Sequence, residues 1–491
     1  MINKKINELI AYAKTNLHLG VDDDYYAANR LLYLLKLNTF TKEEVSDELD
    51  FFEIMEYILN YACGKNLLES DTVTSRDAFE GKIVDCLLPR PSELTRMFRN
   101  EYKKGPLTAT TFFHELSLAS NYIKTKRIEK NIKYDYAGKY AALEITINLS
   151  KPEKDPKDIL AQSLIKDNYP TCPLCMENVG VYQATSLAPR SNHRVISLTL
   201  NHEVDAWGMQ YSPYAYFPEH TIVLRKDHSP MYVNELSFAE LVDFINKFPH
   251  YLIGSNAGLP IVGGSILGHH HFQGGRYDFP IEKARVLQKY KANRKVTVEV
   301  LDWPMAVIRV SSDNENALLD EVNKIYDAWY NYENKDLSIF KHTDQDHNTI
   351  TPILKLNGAQ YQFYIVLRNN YATEDQPYGW YHPRKERFHI KKENIGLIEV
   401  MGLAILPGRL IEELDLIKDC LINNKDPKEF PELVKHLPWI EELKEKNIKQ
   451  DELSDTLRQE VGRIFEQVLE DCNVFKYGTK EDLYRFVEKI I

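Results

Sequence analysis

The hydrophobic period of the chain changes twice, and this limits the folds open to it more than any other feature. From residue 1 to about 130, apolar residues recur three and four apart in INELIAYAKT, DYYAANRLLYLLKL, TKEEVSDELDFFEIMEYILNYACGKN and RDAFEGKIVDCLL. That spacing buries one face of a helix. Asp and Thr stand at helix starts, and Pro89-Arg90-Pro91-Ser92 stops one helix, with Ser92 placed to cap the next. From about 131 to 310 the period moves toward two. YAALEITINL, HRVISLTL, HTIVLRK, KVTVEVLDW and MAVIRV are short β-branched runs bounded by Pro, Asn, Asp and Gly, which predicts a mostly antiparallel sheet. One helix, NELSFAELVDFINKFPHYLI, interrupts it. A second mixed unit covers 311–410, with strands in YQFYIVLRN and IGLIEVMGLAIL, and 411–491 returns to charged amphipathic helices. The expected class is therefore α+β, divided into a helical region 1–130, a sheet core 131–310, a second α+β unit 311–410 and a helical region 411–491. No repeat of solenoid length and no low-complexity linker separates them.

Composition enters by exclusion. Lys plus Arg total 61 against 72 Asp plus Glu, a formal charge of -11, which is not the basic excess of a nucleic-acid binder. An anionic substrate must be met by local donors rather than by the field of the whole chain. No run of 18 apolar residues occurs, so no membrane-spanning helix is expected, and the first residues lack the apolar core of a signal peptide. Of the six cysteines, Cys63, Cys86, Cys172, Cys175, Cys420 and Cys472, only Cys172 and Cys175 are close in sequence. That pattern fits a reducing, cytoplasmic compartment better than a secreted disulfide framework.

The most informative segment is SNAGLPIVGGSILGHHHFQGG, residues 255–275. Glycines such as Gly263 and Gly264 let backbone N-H groups approach phosphate oxygens. If His269 to Gln273 is a strand, His269, His271 and Gln273 share one face and His270 takes the other. Adventitious metal binding, a tight core strand and a solvated polar face are the plain readings of the same pattern. The chemical reading is a nucleophilic imidazole, largely neutral near pH 7, that forms a labile phosphoramidate. Cys172-Pro-Leu-Cys175 has zinc-knuckle spacing, with redox chemistry or two packed thiols as rival readings. A metal would need further ligands, for which His269 and His228 are candidates. His193, His202, His220 and His250 read as structural, and Arg76 and His114 as packing or surface groups.

Several long motifs occur together: DTVTSRDAFEGKIVDCLLPRPSE, NYPTCPLCMENVGVYQA, PRSNHRVISLTLNHEVDAWGMQYSPYAYFPEHTIVLRKDHSPM, SNAGLPIVGGSILGHHHFQGG, HNTITPI and HIKKENIGLIEVMGLAILPGRL. Through them the chain resembles the galactose-1-phosphate uridylyltransferases, their longer bacterial class above all, from the first helices to at least residue 410. The resemblance implies a duplicated histidine-triad-like fold and UMP transfer from UDP-glucose to galactose 1-phosphate through a uridylyl-histidine. It implies His271 as the nucleophile and Gln273 as a donor to the phosphoryl oxygens. Asn256 and Ser265 would flank the nucleotide phosphate, beside Gly263 and Gly264, with Arg190, Asn192 and Arg194 as further binding donors. It implies a structural zinc on Cys172, Cys175, His228 and His269, no organic cofactor, and a homodimer. His342, His347 and His389 resemble fragments of a second metal site. Two other classes stay open at this point: a histidine-dependent enzyme that transfers AMP between phosphates, and a zinc-stapled nucleotide- or nucleic-acid-binding module.

Overall fold

The computed structural model describes residues 1–46, 48–150, 170, 172–182, 190–264, 266–446 and 448–491, and the chain divides into two compact units. In chain order the strands are β1 (Ile132–Ala137), β2 (Ala142–Asn148), β3 (Ile196–Leu200), β4 (Glu203–Tyr211), β5 (Thr221–Arg225), β6 (Leu252–Gly254), β7 (His271–Gly275), β8 (Val286–Lys291), β9 (Val296–Leu301), β10 (Val307–Ser312), β11 (Asn348–Asn357), β12 (Gln360–Asn369) and β13 (Leu403–Pro407). Among the described residues no helix is long and apolar enough to cross a membrane.

The first unit comprises Met1–Lys126, Lys151–Ala215 and Glu219–Ser229. Its strands β3, β4 and β5 are antiparallel neighbours, with Ile196 opposite Met209 and Met209 opposite Val223. Along β3 the pleat buries Ile196, Leu198 and Leu200 in alternation. Two helices, Pro91–Tyr102 and Pro106–Ala119, pack on these strands. The Ser197 N-H donates to Thr95 Oγ1 at 3.2 Å, the Tyr211 hydroxyl donates to the Thr110 carbonyl at 3.0 Å, and the Phe113 and Tyr211 rings lie 5.2 Å apart.

Two helix starts differ from expectation. The long pattern over 41–66 yields only the helix Phe51–Gly64, because the Asp50 carboxylate caps it by accepting the N-H groups of Phe52 and Glu53 at 2.7 and 3.3 Å. Ser92 is not a cap either. The helix begins at Pro91, whose fixed φ and missing N-H suit a first helical position.

The second unit comprises Arg127–Ser150, Tyr216–Pro218 and Pro230–Ile491. One small sheet runs β1-β2-β13, the first pair antiparallel and the second parallel, with Ala404 opposite Ile145. The larger part runs β7-β6-β11-β12-β10-β9-β8 with antiparallel neighbours throughout. The second unit is not continuous in sequence, since the hairpin 132–148 pairs with a strand far along the chain. The helix Glu315–Tyr330 buries Leu318, Val322, Ile325 and Trp329 on one stripe, each contributing about 2 kcal/mol of apolar burial. Trp329 Nε1 donates to the Thr349 and Arg368 carbonyls at 2.9 and 3.1 Å, pinning that helix to β11 and β12.

IGLIEVMGLAIL, expected as strand, opens with one turn of helix, Leu397–Val400, before β13. The Gly396 N-H donates to Glu399 Oε2 at 3.2 Å and the Leu397 N-H to Asn256 Oδ1 at 2.9 Å. These caps satisfy the donors that an extended strand would have paired with a neighbour.

Candidate active site

Strand β7 begins at His271, so His269 and His270 lead into it. It is held against β6, with Gly254 opposite Gln273 and Ile253 opposite Gly274. His269, His270 and His271 are all buried, while Gln273 is half-buried. Strand alternation separates their roles. The His270 ring stacks on Tyr232 at 3.7 Å, and its Nδ1 accepts the Tyr232 N-H at 3.4 Å. Its Nε2 therefore carries the proton and donates to Glu240 Oε2 at 3.4 Å, while the Tyr232 hydroxyl donates to Glu240 Oε1 at 2.7 Å. Glu240 is a fully buried carboxylate on the apolar face of the helix Glu235–Lys247, and these partners are what make its burial tolerable. Sequence reasoning missed both Glu240 and Tyr232. The signal available was an acidic residue within an otherwise apolar helical stripe.

His271 Nδ1 lies 2.8 Å from the His269 carbonyl oxygen. A carbonyl only accepts, so Nδ1 carries the hydrogen and Nε2 presents a lone pair. Burial pushes the imidazole down to about 4, and the bond to the His269 carbonyl opposes that shift without cancelling it. The ring is thus neutral near pH 7, with a single defined tautomer.

Asn256 follows β6 and is buried. Its Oδ1 accepts the Leu397 N-H, and its Nδ2 lies where a Cβ on Gly264 would come within 2.4 Å. One amide side chain therefore caps the helix Leu397–Val400 and packs against Gly264 of the glycine-rich turn. Gly263 lies beside the Leu259 carbonyl. Ser265 lies outside the described residues. Gly274 is a site of close strand approach, because a Cβ there would sit 2.3 Å from the Leu252 carbonyl oxygen. Backbone cannot rotate away as a side chain can. Gly274→Ala is expected to push β6 from β7 and cost about 2 kcal/mol, read as a lower urea midpoint at unchanged slope.

In the first unit the PRSNHR residues have separate partners. Arg190 Nη1 donates to the Tyr122 hydroxyl at 3.2 Å. Asn192 Nδ2 donates to the Ser120 carbonyl at 3.1 Å. Arg194 is buried and donates four bonds: Nε to the Pro89 carbonyl, Nη1 to the Ser191 and His193 carbonyls, and Nη2 to Asp85 Oδ1 at 2.7 Å. Asn192 and Arg194 thus hold the fold of this loop, whereas Arg190 is only partly committed.

His193 stacks on Tyr122 at 5.2 Å and has Nε2 at 2.6 Å from Gln210 Oε1. Burial first, then the Arg190 charge, lowers it to about 3, against the Gln210 bond, with Arg194 adding to the depression. A histidine kept neutral in the fold binds its proton more readily when unfolded. Its stabilising contribution is therefore complete above the unfolded value near 6.5 and is lost as pH falls from there toward 3. His193→Gln is expected to flatten the acid limb of the stability profile, removing up to about 1.4 kcal/mol per pH unit below 6.5, as measured by urea midpoints at pH 7 and pH 5.

Cys172, Cys175 and His228 of the first unit offer ligand atoms within 4.8 Å of one another. Cys175 Sγ and His228 Nδ1 are 3.0 Å apart. The turn between the cysteines closes through the Cys175 N-H to the Cys172 carbonyl at 3.2 Å, and Asn178 Nδ2 braces it by donating to the Pro170 and Cys172 carbonyls at 3.1 and 3.0 Å. Two soft sulfurs and an imidazole nitrogen converging on one point suit a zinc ion. Burial and the neighbouring Cys172 push the Cys175 thiol up to about 12. Neither cysteine is in a disulfide.

The three histidines expected as fragments of a second metal site have other partners. His342 pairs with Asp346 at 2.8 Å, His347 lies between Asn370 and Thr343 at 2.8 and 2.7 Å, and His389 faces His436 at 2.8 Å. Among the described residues none of them converges with two other ligand side chains.

An α+β sheet protein with a tautomer-fixed histidine at the head of a glycine-flanked strand, and a thiol-imidazole cluster, belongs to the histidine-triad-like class. The family model "Galactose-1-phosphate uridyl transferase, N-terminal domain" matches residues 19–230, and its C-terminal counterpart matches 243–425. The galactose-1-phosphate uridylyltransferase of Clostridium acetobutylicum is 46% identical over 484 residues, 97% of each chain, and that of Lactococcus lactis subsp. lactis is 43% identical over 495 residues, 99% of each. Among solved structures, yeast Ap4A phosphorylase Apa2 in complex with AMP aligns at a TM-score of 0.35 and 12% identity, over 66% of this chain and 91% of that one. The chain is a member of the galactose-1-phosphate uridylyltransferase family.

Proposed function

We propose that the chain catalyses reversible uridylyl transfer from UDP-glucose to galactose 1-phosphate, giving glucose 1-phosphate and UDP-galactose. The observation that carries this reading is the 2.8 Å bond from His271 Nδ1 to the His269 carbonyl, which leaves Nε2 as a neutral nucleophile. Nε2 attacks the α-phosphorus in line. A P-N bond forms, the bridging P-O bond breaks, and glucose 1-phosphate leaves with the electron pair. No proton needs to be removed from Nε2. In the second half-reaction a phosphate oxygen of galactose 1-phosphate attacks the same phosphorus, and the P-N bond breaks. Both oxygen leaving groups are phosphates of low basicity, so catalysis rests on orientation and on donors aimed at the transferred group rather than on a strong general acid. Gln273, the Gly263-Gly264 backbone and Arg190 are assigned as those donors, with Asn256 fixing the glycine turn.

Cys172, Cys175, His228 and His269 are assigned as zinc ligands. The convergence of the first three supports this, as does an imidazole at 269 on the approach to the nucleophile's strand. Four protein ligands leave no open coordination position, so such an ion supplies structure rather than Lewis acidity. A cytoplasmic homodimer completes the reading, supported by the reduced cysteines and by the prevalence of twofold assemblies.

The test is intact-protein mass after brief exposure to UDP-glucose, quenched at mildly alkaline pH to protect a phosphoramidate. A UMP-sized adduct discharged by galactose 1-phosphate is expected. An adduct formed from ATP or a diadenosine polyphosphate instead would move the chain to the adenylyl-transferring relatives.

A further inference from the structure

A small cleft of about 150 Å³ in the first unit is lined by Arg30, Arg90 and Arg194, with Tyr26, Gly180 and Asp85 among its other walls. Among the described residues of that lining Asp85 is the one carboxylate, and both its oxygens are occupied. Oδ1 accepts Arg194 Nη2 at 2.7 Å, while Oδ2 accepts the Tyr182 hydroxyl at 2.7 Å and Arg30 Nη2 at 3.3 Å. Three guanidinium charges against one carboxylate leave an excess of two positive charges in a chain whose formal charge is -11.

Arg30 Nη1 reaches the Tyr26 hydroxyl at 3.3 Å. Arg30 and Arg90 both line the cleft with that phenol. Arg90 is exposed and stands at the first turn of the helix Pro91–Tyr102, where backbone N-H groups point outward. Guanidinium forks match the oxygens of a phosphate in a bidentate manner. The cleft measures about 150 Å³. This is room for one phosphate group, and well below the several hundred Å³ typical of nucleotide-sized pockets.

We infer that this cleft binds a phosphate dianion, free or as the head of a small monoester. Gln273, Gly263, Gly264 and Arg190 do not line it. Arg90 holds the mouth, and Arg30 is oriented from behind by Tyr26, Asp85 and Tyr182.

The test is calorimetric titration of inorganic phosphate into the full-length chain and into Arg90→Met, at ionic strength balanced with chloride. Arg90 is exposed, so its replacement leaves the packing of the unit intact, which thermal unfolding checks. The wild type is expected to give a saturable heat that Arg90→Met weakens at least tenfold, while both proteins form the uridylyl adduct equally. Glycerol phosphate in a parallel titration separates the two sources: binding as tight as free phosphate, with the same dependence on Arg90, marks an ester, and weaker binding marks the free anion. Equal phosphate affinity in both proteins, no saturable heat in the wild type at millimolar phosphate, or equal competition by chloride would overturn the inference.

Discussion

His271→Asn is expected to abolish the uridylyl adduct and to lower turnover by at least about 10⁴-fold, as removal of an enzyme nucleophile does elsewhere. The fold should survive. Asn fits within the volume vacated by the ring, and its side chain can still offer an amide hydrogen to the His269 carbonyl that now accepts from Nδ1. Thermal midpoints of the two proteins should therefore lie within a few degrees, while intact mass shows the UMP increment on the wild type alone. Turnover at the wild-type rate in the variant would remove His271 from the nucleophile's role.

Cys172→Ser should act in the opposite sense, with a small direct effect on phosphorus chemistry and a large one on the fold. The turn at 172–175 is closed by the Cys175 N-H to the Cys172 carbonyl and braced by Asn178. A metal lost from such a turn removes folding free energy outright. We expect zinc content to fall from one per chain to near zero, and stability to drop by at least about 4 kcal/mol, which is the range reserved for loss of a bound metal or disulfide. Elemental analysis and urea midpoints on the same preparation decide this. Unchanged zinc after replacement of both cysteines would end the metal assignment.

Much of the fold was legible because periodicity is local. The short β-rich runs MAVIRV and YQFYIVLRN predict β10 and β12, and the stripe in NELSFAELVDFINK predicts its helix. Local reading failed where a distant partner decided. IGLIEV has the β-branched composition of a strand, yet Asn256, 141 residues away in sequence, caps it as a helical turn. The chemical strand was legible for a related reason: a period of two assigns His270 to the face opposite its neighbours without any knowledge of the partner. That the partner is a buried Glu240-Tyr232 pair was not legible, because it lies on another element. Arg194 illustrates a further limit of local reading: the Pro89 carbonyl and Asp85 that help hold its guanidinium lie on another segment and were not legible from the motif.

The bond that fixes the nucleophile's tautomer ends on the main-chain oxygen of residue 269 rather than on a side chain. Every amino acid carries that oxygen. Genetic drift at codon 269 could strip away an imidazole without touching the acceptor that orients His271, so the ligand role we propose for that side chain and the acceptor role of its carbonyl are separable in evolution. A lineage could discard a metal there and keep its nucleophile correctly poised, provided that other contacts came to anchor the strand.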